Sequence, residues 1–211
     1  AVMKDFIILE GPDGVGKSTL QNFIYAYFNF QNKEDLISVD FDIKKTPFYS
    51  SISEVIYQDL NTTIQTKQHL RLSIQIENFY KNILPLVGTN TTLVLDRSFI
   101  STYVYSVFSG IPKQDAKILI SPIIGLWEQY IYCEIKPKVI IIERDYSLKQ
   151  NELNTKSFCE ISKIYKSLKS DNYFKKLDIQ FISNRGTIED LWFEVCSLLN
   201  YKYLPSKDIL K

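Results

Sequence analysis

The chain has one histidine, His69, and three cysteines, Cys133, Cys159 and Cys196, with no CxxC pair and no Cys/His cluster. That excludes a disulfide framework and a tetrahedral zinc site, so the thiols are expected to be reduced and buried in helix-like apolar patterns. Long apolar runs are also missing, since none reaches the ~20 residues that span a bilayer. No charged-then-apolar leader opens the sequence, and a soluble, cytoplasmic chain is the expectation. Internal repeats, low-complexity tracts and Gly/Ser linkers are absent. So is any basic excess: at a net charge of +1 nothing is available to neutralise a nucleic-acid backbone, so neither nucleic acid nor membrane is an expected partner. Arginine is scarce. Arg71, Arg97, Arg144 and Arg185 are the only four, and all other basic residues except His69 are lysine. Where lysine supplies the surface charge, each arginine is a candidate for bidentate recognition of phosphate or carboxylate, against the plain alternative of a salt bridge.

What is present suits one sizeable α/β domain: 211 residues, 45% of them hydrophobic, with 13 Phe and 14 Tyr. Apolar periodicity gives strands at 5–10, 36–41, 91–95, 139–143 and 179–183. Helices are predicted between them, at 17–30, 50–60, 63–87, 99–108, 114–133, 157–168 and 188–199. Such alternation predicts a parallel sheet covered on both faces, with ligands beyond the carboxyl ends of its strands.

The motifs fall at those ends. Gly11-Pro12-Asp13-Gly14-Val15-Gly16-Lys17-Ser18, followed by Thr19, fits G-x-x-x-x-G-K-[ST] directly after a buried strand and before a helix. Its glycines let successive backbone N–H groups curl into an anion nest, and the helix adds its positive end. Lys17 is placed to bridge the outer phosphates of a nucleotide, and the Ser18 hydroxyl to ligate Mg²⁺. Asp96-Arg97-Ser98 closes the third strand. Asp96 there can hold Mg²⁺ through water, a role compatible with capping the next helix, and Arg97 can grip an acceptor phosphate.

The run FIILEGPDGVGKST resembles the first strand and loop of the thymidylate kinases, and nearly as well that of the deoxynucleoside kinases. DRS, with Ser101 and Tyr105 following, resembles the DRY(x)xSxxAY stretch of thymidylate kinases, and KPKVIIIER resembles the strand that leads into their lid. The resemblance spans about residues 5–199. It implies a three-layer P-loop kinase fold: a five-stranded parallel sheet with helices on both faces, one domain over 1–211 and a short lid at 145–156. It also implies ATP, Mg²⁺ and a homodimer, for which the aromatic helices near 69–80 and 99–108 are candidate surfaces. By the same resemblance Asp13 lies on the acceptor side of the transferred group, and Arg185 lies where the family's loop packs on adenine. The lid stretch carries Lys149 and Lys156 but no arginine, which leaves Arg144 as the candidate for neutralising transition-state charge.

Two departures keep the acceptor open. Thymidylate kinases usually end the second strand with an arginine, where SVDFDIKKTP offers Asp40, Asp42, Lys44 and Lys45. They also carry a Phe and then an Arg on the long helix, ten residues ahead of a proline. Counting back from Pro85 puts Arg71 and Gln75 there, and glutamine is what deoxynucleoside kinases use to read a pyrimidine edge. Phosphorylation of a deoxynucleoside monophosphate, dTMP or dUMP, is favoured by Asp13, the Arg97–Ser101–Tyr105 spacing and the short lid. A nucleoside 5′-hydroxyl acceptor is favoured by the missing arginine, and would need Asp40 or Asp42 as general base. A nucleotide-binding protein without catalysis is the third alternative, opposed by the intact Lys17, Ser18, Asp96 and Arg97. Lys17→Ala is expected to abolish ATP-dependent turnover while leaving the fold, on the expectation of an exposed side chain. Steady-state kinetics with a melting curve checks both halves.

Overall fold

A computed structural model describes residues 3–31, 36–40, 46–144 and 152–210 of the chain. Five strands form one parallel sheet: β1 (Asp5–Glu10), β2 (Leu36–Asp40), β3 (Thr92–Asp96), β4 (Lys138–Arg144) and β5 (Asp178–Asn184), in the order β2-β3-β1-β4-β5. The helices are α1 (Lys17–Phe30), α2 (Pro47–Tyr57), α3 (Ile64–Asn78), α4 (Phe99–Phe108), α5 (Lys113–Tyr130), α6 (Glu152–Ser167), α7 (Ile188–Leu199) and α8 (Ser206–Ile209). The sheet architecture agrees with the pattern of the sequence.

Side chains alternate across each strand, and this sorts the interior into two cores. Phe6 and Ile8 of β1, Leu93 and Leu95 of β3, and Val139 and Ile141 of β4 pack with α3, α4, α5 and α6 on one face. Trp127 fills the middle of that core, tilted against Phe6 and edge-on to Phe99. Ile7, Leu9, Val94, Ile140 and Ile142 point the other way, onto α1 and α7. A strand buried on both faces reads as a continuous apolar run, which is why β1, β3 and β4 were visible in the sequence.

The strands all run parallel, but the order in which crossovers add them reverses at β1, which lies between β3 and β4. Ligand crevices open at such a switch point, outside the carboxyl ends of the strands. The register brings Leu9 and Asp40 beside Asp96 and pairs Arg144 with Asn184, so the motif residues gather at that one edge.

Two local expectations need correction, the extent of the long helix and the burial of the thiols. The long helix expected over 63–87 stops being α-helical at Asn78: Phe79–Ile83 is a π-helical turn and Leu84–Leu86 a 3-10 turn. The i→i+5 bonding of a π turn takes up one residue more than an α turn. α5 runs through Pro122, whose nitrogen cannot serve the Ile118 carbonyl; the Ser121 hydroxyl donates to that oxygen instead, at 2.7 Å. Only Cys196 is a buried thiol. Cys159 is half-buried, and Cys133 is exposed because α5 ends at Tyr130 and leaves it in the turn beyond. The fourth-strand, lid and second-strand expectations differ in reach: β4 is longer than its apolar run, whereas Asp42 and residues 145–151 of the expected lid lie outside the described residues. Among the described residues no helix is long and apolar enough to cross a membrane.

Candidate active site

The loop from Gly11 to Ser18 turns tightly against two strand ends. Gly11 has φ 138°, and a Cβ there would lie 2.7 Å from the Ile142 carbonyl oxygen of β4. Gly16 has φ 111°, and its Cβ would meet Asn184 Nδ2 at 3.0 Å. Only glycine fits either place. Asn184 Nδ2 donates to the Val15 carbonyl at 2.8 Å, tying the loop to the end of β5. Gly16 also N-caps α1 without a side chain, and the first turn of α1 holds no acidic residue. The leading amides and positive end of α1 are thus left without a side-chain cap, as an anion site requires. The Ser18 hydroxyl is exposed at this end, and Thr19 is half-buried behind it.

Lys17 contradicts the expectation of an exposed side chain. It is 7% exposed, and its Nζ donates to the Gly11 carbonyl at 3.0 Å and the Pro12 carbonyl at 2.8 Å. The short arc of the loop folds its own carbonyls over the ammonium. Burial, with Arg97 adding to it, brings the Lys17 amine down to about 8, against the opposing pull of Glu10, Asp13 and Asp96.

A residue that the sequence reading passed over organises the next part. Glu10, the last residue of β1, is fully buried. Its Oε1 accepts from the Ser98 amide at 2.7 Å, the Ser98 hydroxyl at 2.9 Å and the Ser101 amide at 3.3 Å. Oε2 accepts from the Ser101 hydroxyl at 2.6 Å and the Tyr165 hydroxyl at 2.9 Å. Burial and the neighbouring Glu10 hold the Tyr165 phenol well above its ordinary value, so it stays a donor. Ser98, rather than Asp96, caps α4, accepting from the Ile100 amide. Asp96 stays at the end of β3, ahead of that cap, beside Leu9 and Asp40 in the sheet register.

Arg97 lies between the two halves of the site. Its backbone is left-handed, φ 67°, and its amide donates to the Leu9 carbonyl at 2.9 Å. That conformation turns the side chain off the strand end: Nη1 donates to the Ser101 hydroxyl at 2.9 Å, Nη2 pairs with Asp13, and the guanidinium sits over the Tyr105 ring at 5.6 Å. Burial opposes its charge, but Tyr165, Glu10, Tyr105 and Asp13 outweigh that and hold it above its ordinary value. Arg97, Asp13, Ser101 and Tyr105 also line a cleft of about 400 Å³, closed by Tyr57, Ile64, Lys67, Gln68 and Arg71 on the side of α2 and α3. This volume accommodates a nucleotide-sized ligand.

The remaining candidates fall in three places. Arg71 is in the cleft, its guanidinium 5.0 Å from the Tyr57 ring centre. Gln75 is buried further along α3, beside a second cavity of only about 10 Å³, with its Nε2 bonded to the Thr102 hydroxyl. Arg144 reaches back over the loop, where Nη1 donates to the Gly14 carbonyl at 2.9 Å. Arg185 is exposed directly after Asn184. Glu10, Asn184, Tyr165, Lys67 and Gln68 were missed, and only Glu10, a carboxylate ending a buried strand, gave any sign in the sequence.

This geometry meets known proteins at one family. The thymidylate kinase family model matches residues 9–181. The chain belongs to the thymidylate kinase family. Among curated members it is similar to the thymidylate kinase of Finegoldia magna, 32% identical over 108 residues, which are 47% of this chain and 49% of that one. The match thus spans about half the length of that relative. Among solved members the thymidylate kinase of Ehrlichia chaffeensis superposes with a TM-score of 0.69 at 18% identity, covering 93% of this chain and 99% of that one. The thymidylate kinase of Candida albicans gives 0.65 at 17%, covering 95% and 92%. At those identities the likeness is one of fold, and it agrees with the parallel sheet between helices.

The depressed Lys17 amine has a consequence for stability. An unfolded chain keeps the lysine near its ordinary 10.5, so between pH 8 and 10.5 the unfolded state binds more protons than the folded one. The penalty of the buried ammonium is therefore full below about pH 8 and relieved as pH rises toward 10.5. Denaturant midpoints of wild type and Lys17→Met, compared over that range, should shift in favour of wild type as pH rises. An unchanging difference would mean that the ammonium is not desolvated.

Proposed function

We propose that the chain transfers the γ-phosphoryl group of ATP to a pyrimidine deoxynucleoside monophosphate, dTMP or dUMP. The observation that carries this reading is the position of Arg97: one guanidinium nitrogen is paired with Asp13 of the phosphate loop, while the side chain forms a wall of the 400 Å³ cleft together with Lys67 and Arg71. A cation stands where the donor's end meets the acceptor's. Phosphoryl transfer asks mainly for positioning and for neutralising charge, and a monophosphate, already ionised at pH 7, needs no general base.

In this reading the backbone of Gly11, Pro12, Asp13, Gly14, Val15 and Gly16 cradles the phosphates, with Lys17, Ser18 and Thr19 at the start of α1. Lys17 exchanges the Gly11 and Pro12 carbonyls for the outer phosphates. The exposed Ser18 hydroxyl and the Asp96 carboxylate, both oxygen donors, fit Mg²⁺, which when bound offsets phosphate charge. Arg97 exchanges Asp13 for the acceptor phosphate, with Ser101 keeping hold of Nη1. Arg144, poised over Gly14, faces the charge that builds up in the transition state. Arg185 stacks on adenine, Arg71 and Tyr105 serve the nucleoside part of the acceptor, and Gln75, expected to read the base, stands behind that wall on Thr102. Asp42 keeps its acceptor role as an expectation from the second strand.

A nucleoside acceptor would require a carboxylate free to take a proton. Asp13, which lines the cleft, is paired with Arg97 and so is not free for that role; Asp42 lies outside the described residues. The homodimer implied by the family resemblance has less of α4 to work with than expected. Phe99, Ile100, Tyr103 and Val104 are buried in the core, leaving α3 and the exposed Tyr80 as the surface. The test is a steady-state assay offering ATP–Mg²⁺ with dTMP, dUMP, thymidine or deoxycytidine. Turnover should appear with the monophosphates, and Arg97→Ala should lower kcat/KM for them by about 10²–10³-fold while ATP still binds. ADP release with thymidine but none with dTMP would replace this reading with the nucleoside one.

A further inference from the structure

Gln68 is a buried amide in the wall of the cleft. It is 4% exposed, and its Oε1 has no hydrogen-bond partner among the described residues. An unsatisfied buried amide oxygen costs about 1–3 kcal/mol, and folded chains keep few of them. Gln68 nevertheless lines the 400 Å³ cleft, on the same face of α3 as Ile64 and Arg71, at spacings of four and three residues. Thr102 and Tyr105 of α4 line the same space.

Gln75 is differently employed. It lies outside the cleft lining and, although its Oε1 is likewise without a partner among the described residues, its Nε2 donates to Thr102 Oγ1, so it braces a residue of the cleft wall from behind. The cavity beside it, about 10 Å³, holds no more than about one water. Gln68 and Gln75 lie about two turns apart on α3, and the cleft lining holds the first and not the second.

We infer that Gln68 reads the base of the acceptor: its amide, one donor beside one acceptor, pairs with the edge of a pyrimidine at positions 3 and 4. Thymine and uracil present N3–H and O4 there, which an amide oxygen and an amide N–H match in a single plane. The Arg71 guanidinium, itself stacked on Tyr57, offers a flat cationic surface beside that edge. This assignment rests on the acceptor being a pyrimidine monophosphate and specifies which side chain selects it.

Gln68→Met keeps length and removes both polar atoms. Contacts to a part of the substrate remote from the chemistry act as binding shared by ground and transition states. KM for dTMP should therefore rise about 10- to 100-fold, with kcat and KM for ATP within about twofold of wild type. The melting temperature of the variant without ligand should be equal or higher, because an unpartnered amide has been replaced by an apolar group. A purely structural glutamine would show the opposite pair of results. Unchanged KM for dTMP in Gln68→Met, or a rise confined to Gln75→Met, overturns the assignment while leaving the kinase reading in place. A wild-type enzyme that turns over no pyrimidine monophosphate overturns both.

Discussion

The carboxylate of Glu10 is the constraint on which the site depends. A buried charge without partners costs several kcal/mol, so it persists only where donors surround it. Here the donors come from two distant stretches of chain: Ser98 and Ser101 at the start of α4, and Tyr165 on α6. Satisfying one carboxylate therefore fixes the end of β1, the start of α4 and the helix after the lid region relative to one another. Ser101 then passes the constraint on. Its hydroxyl donates to Glu10 and accepts from Arg97, so the guanidinium is aimed by a charge it never touches.

Around this hub, basic side chains are held by groups that phosphates would replace. Lys17 rests on two loop carbonyls, Arg97 on Asp13 and Arg144 on the Gly14 carbonyl. Each contact places a cation within a side chain's length of the loop, and those to carbonyls are weaker than what a phosphate oxygen offers. The cost of ordering these side chains is met in folding rather than in binding, which is what preorganisation means for charge stabilisation. The depressed Lys17 amine is the visible cost of that arrangement.

Much of this could be read in the sequence because its causes are local. β1, β3 and β4 are apolar on both faces, and the loop glycines follow β1 at fixed offsets, so strand, loop and helix were evident from Asp5 to Phe30. Arg97 could be singled out because it closes a strand. What escaped depends on groups far apart in sequence. Nothing near Glu10 announces that Ser98 and Tyr165 will converge on it. Nothing near Lys17 shows that the loop's carbonyls will bury it. Gln68 and Gln75 share α3, and which of them lines the cleft is decided by how α2 and α4 pack around that helix, which local sequence does not show.

In the proposed function, loop and cleft form one continuous phosphate path with Arg97 at the junction. A single molecule can span that path: adenosine and thymidine joined 5′ to 5′ through five phosphates. Because its second half binds at high effective concentration, it should raise the melting temperature well beyond ATP–Mg²⁺ and dTMP supplied separately at the same concentration. A shift no larger than that of ATP–Mg²⁺ alone would contradict it, because the loop and the cleft would then not be two ends of one site.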